Sequence, residues 1–411
     1  MAKKNCPDLL VGLDIGTTKI VALVGEIKSD GRLEIIGIGS HPSKGLKRGV
    51  VINIEATVNS IQRAIEEAEL MAGCDIRSTH TGISGSHIRS LNSHGIVAIH
   101  DQEVGQADID RVIDAAKAVA IPADQKILHI LPQEFIVDNQ EGIREPIGMS
   151  GVRLEAKVHI VTGSVSAAQN IVKCVEKCGL KVGDIVLQQL ASSYSVLTDD
   201  EKELGICMID IGGGTTDIAV FTDGAIRHTA VIPIAGDQVT NDIAVALRTP
   251  TKHAEDIKVK YGCALMRMID PQDTVSVPSA SHSGPKSIFK RELANVIEAR
   301  YEELFELVAA ELRRSGFEDL VAAGIVLTGG GSKMDGVLEL AEQVFEMPVR
   351  FGIPKNIGGL KDVVSNSIYA TGVGLLMSAH DEQHTKEPDM VLGDGIKSLW
   401  QRMRSWFQGN F

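Results

Sequence analysis

The chain has 411 residues, enough for two or more domains with a sizeable core. Hydrophobic content of 44% and charged content of 23% are ordinary for a globular protein, and a formal net charge of −13 argues against bulk binding to nucleic acid. Six cysteines lack metal-ligand spacing, so free thiols in a reducing cytoplasm are expected, and no stretch approaches the ~20 apolar residues of a membrane span.

The N-terminus carries two lysines and then a short apolar run, as a signal peptide would. The run contains Asp14, however, and no small-residue cleavage site follows. It belongs instead to LLVGLDIGTTKIVALV, residues 9–24: an apolar strand ending in Asp14, a turn at Gly16, Thr17 and Thr18, and a second apolar strand. Such continuous apolar runs suit strands buried on both faces. Residues 55–72 read as a helix, with apolar or small residues at Val58, Ile61, Ala64, Ile65, Ala68 and Met71. From 81 to 161 the pattern changes. Strand-like runs at 94–99, 126–137 and 152–162 surround one helix near 108–120, which predicts a small α+β insertion. A helix at 166–178 and a strand at 181–187 return to the first unit.

Residues 205–221, GICMIDIGGGTTDIAVF, repeat the first device about 195 residues later, now with Asp210 before Gly212, Gly213 and Gly214. One such hairpin is weak evidence, because Gly and Thr are common in turns. Two copies with matched flanks are a repeat with a purpose. The glycines let phosphate oxygens approach backbone N–H groups, and Thr17, Thr18, Thr215 and Thr216 add hydroxyl donors. Asp14 and Asp210 stand where a divalent cation on the phosphates would lie, reached through water, since Mg²⁺ keeps much of its hydration shell. The motifs GxxxxGK[ST] and strand-linked GxGxxG are absent, so hairpins rather than a helix N-terminus are expected to hold the phosphates. Further on, Ala235-Gly236-Asp237 opens a helix over 238–247, polar sequence with Pro fills 270–286, and 290–314 reads as a long helix. An apolar strand at 323–328 breaks into Gly329, Gly330 and Gly331 before Ser332, Lys333 and Met334, leaving room for something flat such as an adenine ring.

These three motifs resemble those of the actin, Hsp70 and sugar-kinase ATPase superfamily. Asp14 to Lys19 and Asp210 to Asp217 match its phosphate motifs, and Gly329 to Met334 its adenosine motif. QQLASSY (188–194) and NSIYATGVG (366–374) match its two connecting helices. The runs LASSYSVLTDDEKELG, AAGIVLTGGGSKMDG and LPQEFIVDNQEGIREPIGMSGVRLEAKVH are further similar to the FtsA family of bacterial cell-division proteins. The resemblance implies an α/β, actin-like (ribonuclease H-like) two-lobe fold. Its first-lobe core would be 1–83 and 163–195, interrupted by an α+β subdomain at 84–162. The second-lobe core would be 196–238 and 309–379, carrying a nucleotide-covering subdomain at 239–308. A flexible linker at 380–394 and an amphipathic helix at 395–411 would follow.

The resemblance also implies roles. ATP with Mg²⁺ would lie between the lobes, held by Gly16, Thr17, Thr18 and Lys19 on one side and Gly212 to Thr216 on the other. Asp14 and Asp210 would position the metal. Gln188 would orient the attacking water and, being a weak base, give slow hydrolysis at most. Gly236 and Lys260 would touch the ribose, and Gly329, Gly330, Gly331 and Met334 the adenine. The implied partners are the C-terminal tail of the tubulin-like protein FtsZ, further copies of the chain in a head-to-tail filament, and other division proteins at 84–162. The FtsZ tail would meet Lys286, Arg291, Arg300 and Tyr301, though a solvated helix face reads the same way. The implied place is the cytoplasmic side of the inner membrane at the septum.

The C-terminal stretch GIKSLWQRMRSWFQGNF adds a reading of its own. Ile396, Leu399, Trp400, Met403, Trp406 and Phe407 fall on one helical face, with Lys397, Arg402 and Arg404 on or beside the other and no acid in the segment. A terminal helix packed on the chain's own core is one reading; a helix in the interface of an anionic membrane is the other. Six apolar side chains at roughly 1.5–3 kcal/mol each give on the order of 10 kcal/mol gross. Three basic residues add about 3 kcal/mol near an anionic leaflet. Ordering consumes much of this, so one copy would bind reversibly and a filament strongly. A sugar or acetate kinase of the same superfamily, or an actin-like pilus-assembly adaptor, are the rival functions. The kinase would need a cleft Asp for a substrate hydroxyl, and no candidate stands out.

Overall fold

In the computed structural model, residues 9–278 and 285–384 are described. The C-terminal residues assigned to the membrane, Ile396 to Phe407, lie outside them. So does the part of the expected linker beyond residue 384.

The first lobe is built on a six-stranded sheet in the order Lys181–Leu187, Ser78–Ile83, Leu9–Ile15, Lys19–Ile27, Leu33–Pro42, Gly358–Gly359. Its central strands are buried on both faces, because a helix covers each side. On one side lies Ile54–Ala72. Asn53 caps its first turn by accepting from Ala56 N, and Gly73, left-handed at φ 67°, ends it. Ile61, Ala64, Ile65 and Ala68 form its buried face, a spacing of one helical turn.

On the other side lies Ala370–His384, which crosses Gln188–Val196 at the back of the molecule. The crossing is close enough that a Cβ on Gly374 would stand 1.7 Å from the Ala191 carbonyl oxygen. This helix runs through residues 380–384, which sequence reasoning assigns to the linker. Burial explains the extension: Ala379 is fully buried, and His380 Nε2 lies 2.9 Å from the Gly31 carbonyl oxygen.

The second lobe repeats the plan with a five-stranded sheet, ordered Ala225–Ile232, Thr216–Thr222, Ile206–Ile211, Ile325–Thr328, Val349–Phe351. Above it sits a subdomain made of helices Gly236–Leu247 and Thr251–Tyr261 and the first half of helix Lys290–Ser315. The polar, Pro-containing stretch 270–286 contains Thr274–Val277, which pairs antiparallel with Lys286–Phe289. Its alternation of Val275 and Val277 inward is too short to stand out in a polar context. The long helix buries Leu293, Ile297, Tyr301, Leu304, Phe305, Val308 and Leu312 and stops at Gly316, φ 78°.

The insertion is a four-stranded sheet, Arg89–Ala98, Arg153–Ser164, Gln125–Val137, Gln140–Ile143, with helix Gln106–Lys117 on one face. Its core joins Ile109, Val112 and Ile113 of the helix to Phe135, Leu154, Val158 and Ile160 of the sheet. The helix starts and stops two to three residues earlier than its sequence pattern suggests. The Asp108 carboxylate accepts the Gly105 N–H at 2.9 Å and so fixes the start. Strand Arg89–Ala98 begins five residues before the apolar run that marks it.

No helix of the described residues is long and apolar enough to cross a membrane.

Candidate functional site

The two hairpin turns close with the same bond. Gly16 N donates to the Lys19 carbonyl at 3.0 Å, and Gly212 N to the Thr215 carbonyl at 2.9 Å. Their tips meet across the cleft. A Cβ on Gly213 would lie 2.3 Å from Thr18 Cγ2, and one on Gly214 would lie 2.4 Å from Thr17 Oγ1. The threonines of one lobe thus occupy the space that the glycines of the other leave. Thr17 Oγ1 also accepts the Gly49 N–H at 3.0 Å.

Beneath the tips lies a cavity of about 510 Å³, a size that suits a small-molecule ligand. Its lining takes in Asp14, Gly16, Thr17, Thr18 and Lys19 from the first hairpin and Asp210, Gly212, Gly213, Gly214 and Thr215 from the second. Gln188, Gly236, Lys260, Gly329, Gly330, Gly331 and Met334 complete the set expected from the sequence.

The acids at its base are held differently. Asp14 is 7% exposed and accepts from Gln188 Nε2 at 3.1 Å. Asp210, also 7% exposed, accepts from Ser192 Oγ at 2.6 Å and Thr371 Oγ1 at 3.3 Å. Burial pushes the Asp14 carboxyl up to about 6, against the pull of Lys19. Burial likewise raises Asp210 above the usual carboxylate range, opposed by its two hydroxyl donors. Lys19, buried beside both acids, is held below its ordinary value by loss of solvent. Its Nζ donates to the Ile368 carbonyl and sits 4.7 Å from the Tyr369 ring centroid.

The structure places three of the expected residues elsewhere. Thr216 does not line the cavity: it opens the return strand, is fully buried, and gives its hydroxyl to the Ile234 carbonyl at 2.8 Å. Tyr301 is not on a partner-facing surface with Lys286. It is 2% exposed, because it falls on the buried face of its helix, and its OH donates to the Gly331 carbonyl at 2.8 Å beneath the cavity. Arg300 is already committed, its Nε lying 2.5 Å from Asp242 Oδ2 with a second pair to Glu303. Of that set Lys286 is exposed, while Arg291 is half-buried with its Nε unpartnered.

Sequence reasoning missed several residues. Lys258 is anchored at the cavity wall, 3.0 Å from the Gly236 carbonyl, 2.8 Å from Thr240 Oγ1 and 2.7 Å from Glu255 Oε2. The KVK spacing with Lys260 was the available signal. Asp217 stands opposite Asp210 in the hairpin register. It accepts from Thr215 Oγ1 at 3.1 Å and from Ser84 Oγ. Burial pushes it up to about 7, opposed by the Ser84 hydroxyl and reinforced by the charges of Asp210 and Asp14. Among the described residues no group of three or more His, Cys, Asp or Glu could cage a metal by itself. Three buried carboxyls sharing one cavity nevertheless fit a hard divalent cation that keeps waters and brings phosphate oxygens of its own.

A family model described as cell division protein FtsA matches residues 207–374, and one described as SHS2 domain inserted in FTSA matches 85–162. The chain is 63% identical over 417 residues to the cell division protein FtsA of Pseudomonas aeruginosa, with all of both chains covered. It is 47% identical over 420 residues to that of Escherichia coli, again covering all of both. Among solved structures it resembles the PilM-PilN type IV pilus biogenesis complex, with TM-score 0.68, 16% identity, 90% of this chain and 98% of that one. It also resembles MreB5 of Spiroplasma citri bound to ADP, with TM-score 0.55, 15% identity, and 92% and 99% covered. The MamK double helical filament gives TM-score 0.52 at 14% identity, with 90% and 98% covered. These last three likenesses establish an actin-like fold. On the full-length identities, the chain belongs to the FtsA family of cell-division proteins.

Proposed function

We propose that the cleft binds ATP with Mg²⁺ and uses it chiefly as a switch for assembly. The observation that carries this is the pair of facing hairpin turns over buried Asp14 and Asp210 in a cavity of about 510 Å³. The backbone N–H groups of the turns and the side chains of Thr17, Thr18 and Thr215 hold phosphate oxygens. Lys19 and Lys258 balance their charge from the two lobes. Gly236 and Lys260 border the ribose, and Gly329, Gly330, Gly331 and Met334 the base. Asp14 and Asp210 orient the cation's waters; when bound, Mg²⁺ neutralises phosphate charge and draws the carboxyls into their ionised form. Gln188, donating its amide to Asp14, leaves its carbonyl to orient a water. Asp217, which burial pushes up to about 7, and Asp14, pushed up to about 6, are the acids of the cleft placed to exchange a proton near neutrality. A weakly basic amide and a shared acid cluster favour slow turnover.

Around that switch, the chain polymerises head to tail on the cytoplasmic face of the inner membrane. It anchors the FtsZ ring at the septum through the segment 395–411, whose sequence is amphipathic, and recruits later division proteins through the insertion. Membership of the family and the filament formed by the structural neighbour MamK support this reading. Lys286 and Arg291 are the remaining candidates for the FtsZ tail.

Two experiments test it. Calorimetric titration of the full chain with MgATP should give saturable binding that Asp210→Ala weakens at least tenfold; unchanged affinity sinks the site. A chain ending at residue 394 should stay in solution when the full chain pellets with anionic liposomes; equal pelleting removes the anchor.

A further inference from the structure

The insertion is covalently part of the first lobe yet grips the second. Ser90 Oγ donates to the Thr229 carbonyl at 2.9 Å, and Asn92 Nδ2 to the Arg227 carbonyl at 3.3 Å. Gln133 Nε2 donates to the Ile226 carbonyl at 2.9 Å. Buried His159 lies between the two sides, its Nδ1 2.7 Å from Asn92 Oδ1 and its Nε2 3.0 Å from Thr229 Oγ1. All of these run along strand Ala225–Ile232, the outer strand of the second-lobe sheet. The bonds come from side chains rather than a backbone ladder, so they can loosen one at a time.

A second grip lies deeper. Ser84 follows Ser78–Ile83, the last first-lobe strand before the insertion, and is 3% exposed; its hydroxyl donates to Asp217 and lies 3.5 Å from Thr215 Oγ1. Gly85 follows at φ 134°, a conformation reserved for glycine, and Ser164 N, at the insertion's other root, donates to His87 Nδ1 at 3.4 Å. Asp217 is the second residue of strand Thr216–Thr222, which begins where the phosphate turn ends and pairs along its whole length with Ala225–Ile232. One continuous pair of strands thus connects the phosphate turn, Ser84 and the polar seam.

Building on the nucleotide reading above, we propose that Ser84 is a positioning residue that ties the insertion to the phosphate turn of the second lobe, so that nucleotide in the cleft tightens the seam between the insertion and strand Ala225–Ile232. A phosphate held by Thr215 and the Gly213 and Gly214 backbone fixes the turn. The fixed turn holds Asp217 against Ser84, and the insertion then keeps one orientation against the second lobe. With an empty cleft the turn relaxes, the Ser84 bond breaks more often, and the side-chain bonds of the seam open with it.

The test is amide hydrogen exchange on the full chain, free and saturated with Mg-AMPPNP, with nucleotide binding measured on the same samples. In the unaltered chain, amides of 89–98 and 225–232 should exchange at least about threefold more slowly with nucleotide. Ser84→Ala should lose that difference and Ser84→Thr, which keeps the hydroxyl, should restore it. Asn92→Ala, which loosens the seam without touching Asp217, should lose the difference while keeping nucleotide affinity within about twofold. Should Ser84→Ala not fold, the Asn92→Ala and Ser84→Thr arms still decide. Nucleotide binding without any change in seam exchange, or an unaltered difference in Ser84→Ala, overturns the coupling. No binding by the unaltered chain overturns the nucleotide reading itself, and the coupling with it.

Discussion

The hairpin of the first lobe and that of the second share a closing bond, a strand register and a buried acid. Asp14 pairs with Val21 across the first, and Asp210 with Asp217 across the second. Where the first carries an apolar residue, the second carries another carboxyl. The first presents threonine side chains at its tip; the second presents bare glycine backbone that receives them. The first supplies Lys19. The same backbone device has therefore been divided into a cationic knob and an acidic hole, and nucleotide would lie where they meet. A duplicated motif keeps its geometry under strong constraint, because the turn must approach phosphate, while its side chains specialise.

The largest break in this pairing should come from filling the hole. Gly214→Val places atoms within 2.4 Å of Thr17 Oγ1, and nucleotide affinity should fall at least about a hundredfold, roughly 3 kcal/mol of overpacking. Thr17→Ala in the same chain should recover part of the loss in a binding titration. Full affinity in the single variant would show that the tips do not interlock.

Next comes the acid that the first hairpin lacks. Asp217 keeps its proton up to about pH 7 in the native cleft, against an ordinary aspartate value of 3.8. The native state thus binds more protons than the unfolded chain between these values, so this group's contribution to stability falls as pH rises from about 4 to 7 and is fully unfavourable above. Asp217→Asn should accordingly stabilise the nucleotide-free protein at pH 8 by on the order of 3 kcal/mol, with no gain at pH 4. Thermal melts at the two pH values check the sign; an equal shift at both would mean that the charge is not responsible.

A smaller effect separates how the two acids are held. Gln188→Ala removes the amide donor to Asp14 and should slow turnover about tenfold, some 1.4 kcal/mol, while affinity stays within about twofold. A loss confined to affinity would reassign Gln188 to binding. The smallest concerns Thr216, whose hydroxyl serves the Ile234 carbonyl. Thr216→Val should cost about 1 kcal/mol in denaturant unfolding and leave nucleotide affinity unchanged.

Much of the cleft was legible in the chain because its parts are local. A strand, an acid and a glycine turn lie within ten residues, and the repeat at 205–221 exposed their importance. Thr216 was misread for the same reason: in a strand, neighbours face opposite ways, and only the sheet decides which of Thr215 and Thr216 reaches the cavity. Tyr301, placed on a partner surface by resemblance, is buried because it faces Gly331, a contact 30 residues away that no local pattern shows. The start of strand Arg89–Ala98 was hidden by Ser90, Asn92 and Ser93, polar residues that break the apolar pattern. Ser90 and Asn92 are polar because they bond to the backbone of the other lobe, a partner 135 or more residues away.

By itself the sequence determined the two lobes, the inserted subdomain, the helix faces and the phosphate turns, since each follows from periodicity and backbone freedom over a short stretch. Tertiary structure alone decided that Thr17 and Thr18 fill the space above Gly213 and Gly214, and that Asp217 joins Asp14 and Asp210 along one cavity. It alone decided that the insertion reaches across to the second lobe. Those are contacts between segments far apart in the chain, set by how two sheets pack against each other, and no local pattern encodes that.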